Sequence, residues 1–267
     1  MRTARQAPRV SRRGEAVTQA FGLGGFAPQA LIHENQLVKI PVEMPFLQAA
    51  LLGCGVVTGA GAALNTARVR PGDTVAIIGA GGVGLNAVTA AYLAGAARIV
   101  AVAIHDATLQ KARRFGATDV INSSTVNPVE AVRELLPSGV DSAFDFVGLT
   151  EVTAHALEML TVGGALYLIG VSGPDAQVTV NLVDAVLRQP RVTGVNTGSA
   201  NFNRDIPLYS RMYLGGRFEL DALVSAEIAW TKSGPATTSS PTRKSAGSSP
   251  PDSESIRPCS ASRTTKG

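Results

Sequence analysis

Six consecutive residues, Gly79-Ala80-Gly81-Gly82-Val83-Gly84, carry the strongest chemical signal in this sequence. They follow a β-branched run at 74–78 (TVAII) and precede an apolar stretch of helical composition at 85–93. G-x-G-x-x-G between a strand and a helix is the pattern of a pyrophosphate cradle. Gly79 permits the tight turn, Gly81 lets a phosphate approach the backbone, and Gly84 lets the helix pack close to the strand. The helix N-terminus adds free N–H groups and a partial positive charge for the anion. These residues point to a dinucleotide.

The same pattern calls for an Asp or Glu about 20 residues on, at the end of the second strand, to bind the adenosine ribose hydroxyls. The second run, RIVAV at 98–102, is followed by Ala103, and His105 and Asp106 come just after. Two readings stay open. A small residue followed by a base such as His105 leaves room for a 2′-phosphate and points to NADP. Alternatively Ala103 is a loss, and NAD is the inherited cofactor with weakened affinity.

A second candidate is Cys54, set between Gly53 and Gly55 in LLGCGVVTG; the only other cysteine is Cys259. As a small buried hydrophobe it is inert, and as a metal ligand or nucleophile it needs partners that depress its pKa. Two cysteines exclude a disulfide framework and the four-cysteine zinc spacings, which makes the cytoplasm the default compartment.

The elements that must position these residues alternate. Strand-like runs at 74–78, 98–102, 119–121, 142–147, 165–171 and 191–195 are separated by helical stretches at 85–93, 107–115, 129–136 and 152–160, with Gly116 as a helix-ending residue. Strand, helix, strand with short links implies a parallel sheet covered on both faces, a doubly wound Rossmann α/β fold.

Of the 267 residues 45% are hydrophobic and 16% charged, a core-forming composition, and the net charge is +4. The excess lies in Arg-rich residues 1–22 and in the last segment, with no basic, aromatic-studded face between, so nucleic acid is not indicated. No apolar run reaches the roughly 18–20 residues of a membrane span. Residues 231–267 are dominated by Ser, Thr, Pro, Gly and charge, and such a composition predicts disorder.

GCGVVTGAGAALNTARVRPGDTVAIIGAGGVGLNAV (53–88) resembles the zinc-containing alcohol dehydrogenases of the medium-chain dehydrogenase/reductase superfamily, on the formaldehyde dehydrogenase-like branch. GGFAPQALIHENQLVKI (24–40), GAARIVAV (95–102), FGATDVIN (115–122), FDFVG (144–148) and GGALYLIGV (163–171) extend the likeness over about residues 21–228. The resemblance implies hydride transfer between a primary alcohol, or a thiol–formaldehyde adduct, and NAD(P). It implies that Cys54 is a catalytic zinc ligand and that Thr58 lies at the nicotinamide. Gly79, Gly81, Gly82, Val83 and Gly84 form the pyrophosphate turn, Ala103 and His105 the ribose corner. Phe146, Val147, Gly148, Ile169, Gly170 and Val171 line the ribose and nicotinamide. A homodimer through the last strand is a further implication, with no nucleic-acid or membrane partner.

The sequence also departs from that family. The other zinc ligands, an N-terminal Cys and a Gly-His-Glu histidine, and the four-cysteine lobe are absent, and His33, His105 and His155 lie outside ligand motifs. This implies a chain truncated at its N-terminus and divergent at its C-terminus. The expected domains are a basic disordered 1–22, a remnant of a β-rich GroES-like catalytic domain at 23–50, the Rossmann domain at 51–196, a return toward the catalytic domain at 197–230, and the tail 231–267, a disordered segment or an out-of-frame reading. Function then divides three ways: a zinc-type alcohol dehydrogenase, an inactive NAD(P)-binding fragment, or a zinc-independent reductase, against which the G-C-G motif counts.

Overall fold

The computed structural model describes residues 10–17, 29–30, 32–227 and 257–258. It divides into two units, one of Met1–Leu37 with Ala226–Gly267, the other of Val38–Ser225. In the first, Val10–Arg12 and Glu15–Val17 form an antiparallel hairpin, and Val10 and Ser11 pair with Pro258 and Arg257. Arg13 and Gly14 turn the hairpin with φ of 52° and 87°, the left-handed pair that suits the twist of a two-residue hairpin turn. This short pairing stands where composition predicted none, because backbone hydrogen bonds in a hairpin do not require a buried apolar face. The remainder of 1–22 and of the tail 231–267 lies outside the described residues.

The second unit is built on six strands: β1 (Thr74–Ile78), β2 (Arg98–Ala103), β3 (Asp119–Asn122), β4 (Val140–Asp145), β5 (Leu160–Leu168) and β6 (Arg191–Gly194). They pair in the order β3-β2-β1-β4-β5-β6, and every pairing is parallel. That is the doubly wound Rossmann order, in which the chain reverses direction across the sheet between β1 and β4. Seven helices accompany it: α1 (Phe46–Ala67), α2 (Gly82–Leu93), α3 (Asp106–Arg114), α4 (Pro128–Leu135), α5 (Thr150–Glu158), α6 (Leu182–Arg188) and α7 (Phe202–Leu214).

Alternation along the strands explains the two layers. Val75, Ile77, Ile99, Ala101, Phe144 and Tyr167 point to one face, against α1, α2 and α7. Ala76, Ile78, Val100, Val102, Ala143 and Leu166 point to the other, against α4 and α5. Strands buried on both faces read as continuous apolar runs, which is why they were legible. Phe144 and Tyr167 are partners in the β4–β5 register and stack with centroids 5.0 Å apart.

The structure corrects several expected bounds. α2 begins at Gly82, so Val83 and Gly84 are helical rather than part of the turn. β4 ends at Asp145 and β5 at Leu168, which leaves Phe146–Gly148 and Ile169–Val171 as loops at the strand ends. α1, α6 and α7 have no counterpart in the sequence reading. α1 also corrects the membrane reading, since its 22 residues are long and apolar enough to span a bilayer by length and composition. Gly, Thr and Asn interruptions hid it. It packs as a core helix: Leu52, Val56, Val57 and Ala60 are buried in the same cluster as α2 and the sheet. A Cβ on Gly59 would lie 2.0 Å from the Val83 carbonyl oxygen, so a glycine there lets α1 and α2 touch backbone to backbone.

Asp205 ties α7 to α1. It is buried, and its carboxylate accepts from Arg204 Nε at 2.5 Å, from Asn65 Nδ2 at 2.9 Å and from the Asn201 N–H at 2.9 Å. Burial pushes this carboxyl up, but the hydrogen bonds from Arg204, Asn65 and Asn201 outweigh it and hold the group below the ordinary carboxylate range.

Candidate functional site

The cradle forms at the carboxyl end of β1. Gly79 has φ of 91°, the left-handed region that favours glycine, and a Cβ there would meet Val147 Cγ2 at 2.8 Å. A Cβ on Gly84 would lie 2.2 Å from the Gly79 carbonyl oxygen, so that glycine is required by helix–strand packing. Gly81 and Gly82 differ, because beyond the adjoining backbone no atom lies within 4 Å of a Cβ at either position and both are exposed. Nothing within the protein demands a glycine at those two places. The open space lies at the N-terminus of α2, where a helix presents unpaired N–H groups. The residues present therefore fit a pyrophosphate.

The corner beyond β2 carries no carboxylate at the strand end. Ala103 is half-buried, and Ile104 and His105 are exposed. His105 precedes α3, and its side chain makes no capping hydrogen bond. The nearest acid, Asp106, is occupied: its carboxylate accepts from Asn122 Nδ2 at 2.7 Å. This draws it toward the end of β3.

On the other side of β1 two loops meet. A Cβ on Gly148 would lie 2.7 Å from the Gly170 carbonyl carbon, and one on Gly170 would lie 2.3 Å from the Gly148 nitrogen. Ser172 Oγ donates to the Gly148 carbonyl at 2.7 Å. The sequence reading missed the residue beneath them, Asp145. It is 1% exposed, and its carboxylate accepts from the Val147 and Gly148 N–H groups at 2.8 and 3.0 Å and from Thr153 Oγ1 at 2.6 Å. The signal available was an acid at the carboxyl end of the strand VDSAFD, directly after the apolar pair Ala143 and Phe144.

The structure thus brings together Gly79, Gly81, Gly82, Phe146, Val147, Gly148, Ile169 and Gly170 around the carboxyl ends of β1, β4 and β5, with Ala103 and His105 at the end of β2. Val83 is half-buried at the start of α2, and Val171 is fully exposed beyond β5. Thr58 is half-buried on α1, one residue before the glycine that touches α2. Cys54 is exposed on the same helix, in a wide turn spanning Leu52–Val56.

Among the described residues no zinc site accompanies Cys54. Among the described residues no three of His, Cys, Asp and Glu come together as a metal-ligand group. His155 is on α5, against the opposite face of the sheet from α1. His33 accepts from the Asn35 N–H at Nδ1 in a short helical turn of the other unit. A catalytic zinc takes three protein ligands and keeps one open position. The described residues do not supply that set.

Residues 82–211 match the family model for zinc-binding dehydrogenases. Alcohol dehydrogenase class-2 isozyme 2 of Oryctolagus cuniculus is 35% identical over 227 residues, which is 84% of this chain. Over these spans the chain is similar to the zinc-binding dehydrogenases. Alcohol dehydrogenase B of Mycobacterium tuberculosis is 37% identical over 221 residues, 81% of this chain. Among solved structures, benzyl alcohol dehydrogenase from Acinetobacter calcoaceticus superposes with a TM-score of 0.75 at 35% identity, covering 78% of this chain and 57% of that one. The alcohol dehydrogenase zinc-binding domain protein from Burkholderia ambifaria gives 0.75 at 36% identity, covering 78% and 56%. The chain spans 59% of the length of the two curated relatives.

Proposed function

We propose that this chain is the dinucleotide-binding part of an alcohol dehydrogenase-type oxidoreductase, which moves hydride between NAD(P) and a primary alcohol, its aldehyde, or a thiol–formaldehyde adduct. The carrying observation is the open pair Gly81 and Gly82 at the strand-to-helix turn, where the order of the sheet reverses. The dinucleotide, when bound, supplies the hydride acceptor or donor. The chain's own residues bind and orient it. Gly81 and Gly82 admit the pyrophosphate to the backbone, Ala103 and His105 frame the adenosine ribose, and the loops at Phe146–Gly148 and Ile169–Val171 support the other half. NAD and NADP both fit a ribose corner without a carboxylate. Thr58 supports the same reading from α1, and Cys54 is carried on that helix without partner ligands among the described residues. The cysteine count favours the cytoplasm. β6, exposed along its length at the sheet edge, supports a homodimer.

The test is a fluorescence titration of the purified chain with NADH and NADPH. Saturable enhancement of nicotinamide emission at micromolar concentration is expected, and no binding of either sinks the reading. A second reading, an NAD(P)-binding protein without turnover, is favoured by the incomplete ligand set around Cys54. Metal analysis alongside NAD⁺ reduction with ethanol and benzyl alcohol separates the two. Stoichiometric zinc with turnover supports the dehydrogenase, and binding without either supports the second.

A further inference from the structure

One buried residue holds both loops on the β4 side of the cleft, the first through its carboxylate and the second through its main-chain carbonyl. Asp145 closes β4, and its two oxygens face different segments. Oδ1 accepts from the Val147 and Gly148 N–H groups, which fixes the turn after β4. Oδ2 accepts from Thr153 Oγ1, which anchors that turn to α5. The Asp145 main-chain carbonyl accepts from both the Ile169 and the Gly170 N–H groups at 2.9 Å, which fixes the start of the loop after β5. The two loops then touch at Gly148 and Gly170 with no room for a Cβ on either. Neither described ion pair involves Asp145, so its charge is met by N–H and O–H donors alone.

Topology says what those loops serve. In this sheet order the pyrophosphate sits at the turn after β1 and the adenosine ribose at the end of β2. The other half of the dinucleotide must run toward β4 and β5, where the loops lie. We propose that Asp145 is a positioning residue for the nicotinamide half: it holds the backbone of 146–148 and 169–170 in the arrangement on which that half rests, and contributes nothing to the adenosine half. This inference rests on the dinucleotide reading above.

The experiment compares full-length wild type with Asp145→Ala, Asp145→Asn and Thr153→Val, titrating NADH, NADPH and ADP-ribose, which has the adenosine half and pyrophosphate but no nicotinamide. Calorimetry gives the affinities, and nicotinamide fluorescence gives the environment of the ring. Asp145→Ala is expected to weaken NADH and NADPH binding at least ten-fold while ADP-ribose binding changes less than three-fold. Asp145→Asn keeps an oxygen for the two N–H donors, so it should retain most of the affinity. Thr153→Val loses the hydroxyl contacts to Asp145 and to the Leu149 carbonyl and should weaken NADH two- to five-fold. If Asp145→Ala does not fold, the Thr153→Val and Asp145→Asn ratios carry the test. Equal losses for NADH and ADP-ribose would show a general structural role and overturn the inference, as would unchanged NADH binding. If wild type binds ADP-ribose and NADH but the variants show no split, only this inference fails. If wild type binds none of the three ligands, the dinucleotide reading itself fails and takes this inference with it.

Discussion

Two glycines three residues apart, Gly81 and Gly84, should respond to the same substitution in opposite ways. At Gly84 an alanine Cβ would sit 2.2 Å from the Gly79 carbonyl oxygen and 3.1 Å from the Gly79 carbonyl carbon. Both are backbone atoms of the turn, so no side chain can swing aside. Carbon–oxygen contacts settle near ~3.3 Å, so α2 must retreat by about 1 Å. Overpacking of this kind costs about 1–3 kcal/mol, against a gain of up to ~1 kcal/mol in helix propensity for replacing glycine. A net loss of about 2 kcal/mol corresponds to a Tm lower by ~4–8 °C for a unit of this size. At Gly81 nothing lies within 4 Å, and φ of −75° suits any residue. Alanine is a somewhat poorer N-cap than glycine, by ~0.5–1 kcal/mol, so Tm should fall by no more than about 4 °C. The Cβ instead fills the approach of the pyrophosphate, and dinucleotide affinity should drop at least ten-fold. Thermal melts without ligand and NADH titrations of Gly81→Ala and Gly84→Ala read the two effects separately. Wild-type affinity in Gly81→Ala would refute the cradle argument, and a wild-type Tm in Gly84→Ala would refute the packing argument.

Three further outcomes follow from the same geometry. Asp205→Ala leaves the donors of Arg204, Asn65 and Asn201 unmatched and should cost about 1–3 kcal/mol in urea unfolding at pH 6. Because the folded-state pKa of Asp205 is depressed, its contribution is present above the ordinary carboxylate pKa of about 4 and is lost as pH falls through the folded value. The gap between wild type and variant should therefore narrow toward pH 3, and a gap independent of pH would contradict that sign. Ala103→Asp places a carboxylate at the end of β2 and should weaken NADPH about ten-fold relative to NADH, or ~1.4 kcal/mol; an unchanged NADPH/NADH ratio in competition titrations counts against Ala103 as the ribose corner. Val192→Arg adds a charge to the exposed edge strand β6, 51% exposed at that residue, and should shift a dimer to monomer in light scattering, whereas an unaltered dimer would move the interface elsewhere.

Much of the second unit is legible in the sequence. The strands that form the sheet interior, 74–78 and 98–102, read as short β-branched runs because they are buried on both faces. The G-x-G-x-x-G turn announced its own context, since few backbone arrangements need glycine at those three positions. The helices read less well. α1 looked like a broken apolar stretch because its close contacts use Gly59 and Gly61, residues that depress helix propensity but remove Cβ atoms where the Val83 and Gly198 carbonyl oxygens press in. α7 carries Pro207 and was hidden for a similar reason.

Local chemistry determined the parallel α/β class, the glycine turn after the first strand and the absence of an acid at Ala103, because each depends on residues adjacent in the chain. Tertiary structure alone decided the rest. It separated Gly81 and Gly82, which face open space, from Gly84, which faces the Gly79 carbonyl oxygen, although all four belong to one motif. It paired Asp106 with Asn122 at the end of β3. It placed Asp145 under two loops 20 residues apart in sequence, and it left Cys54 exposed without a ligand set among the described residues. Each of these depends on atoms brought together by the crossovers of the sheet, a distance that sequence spacing does not encode.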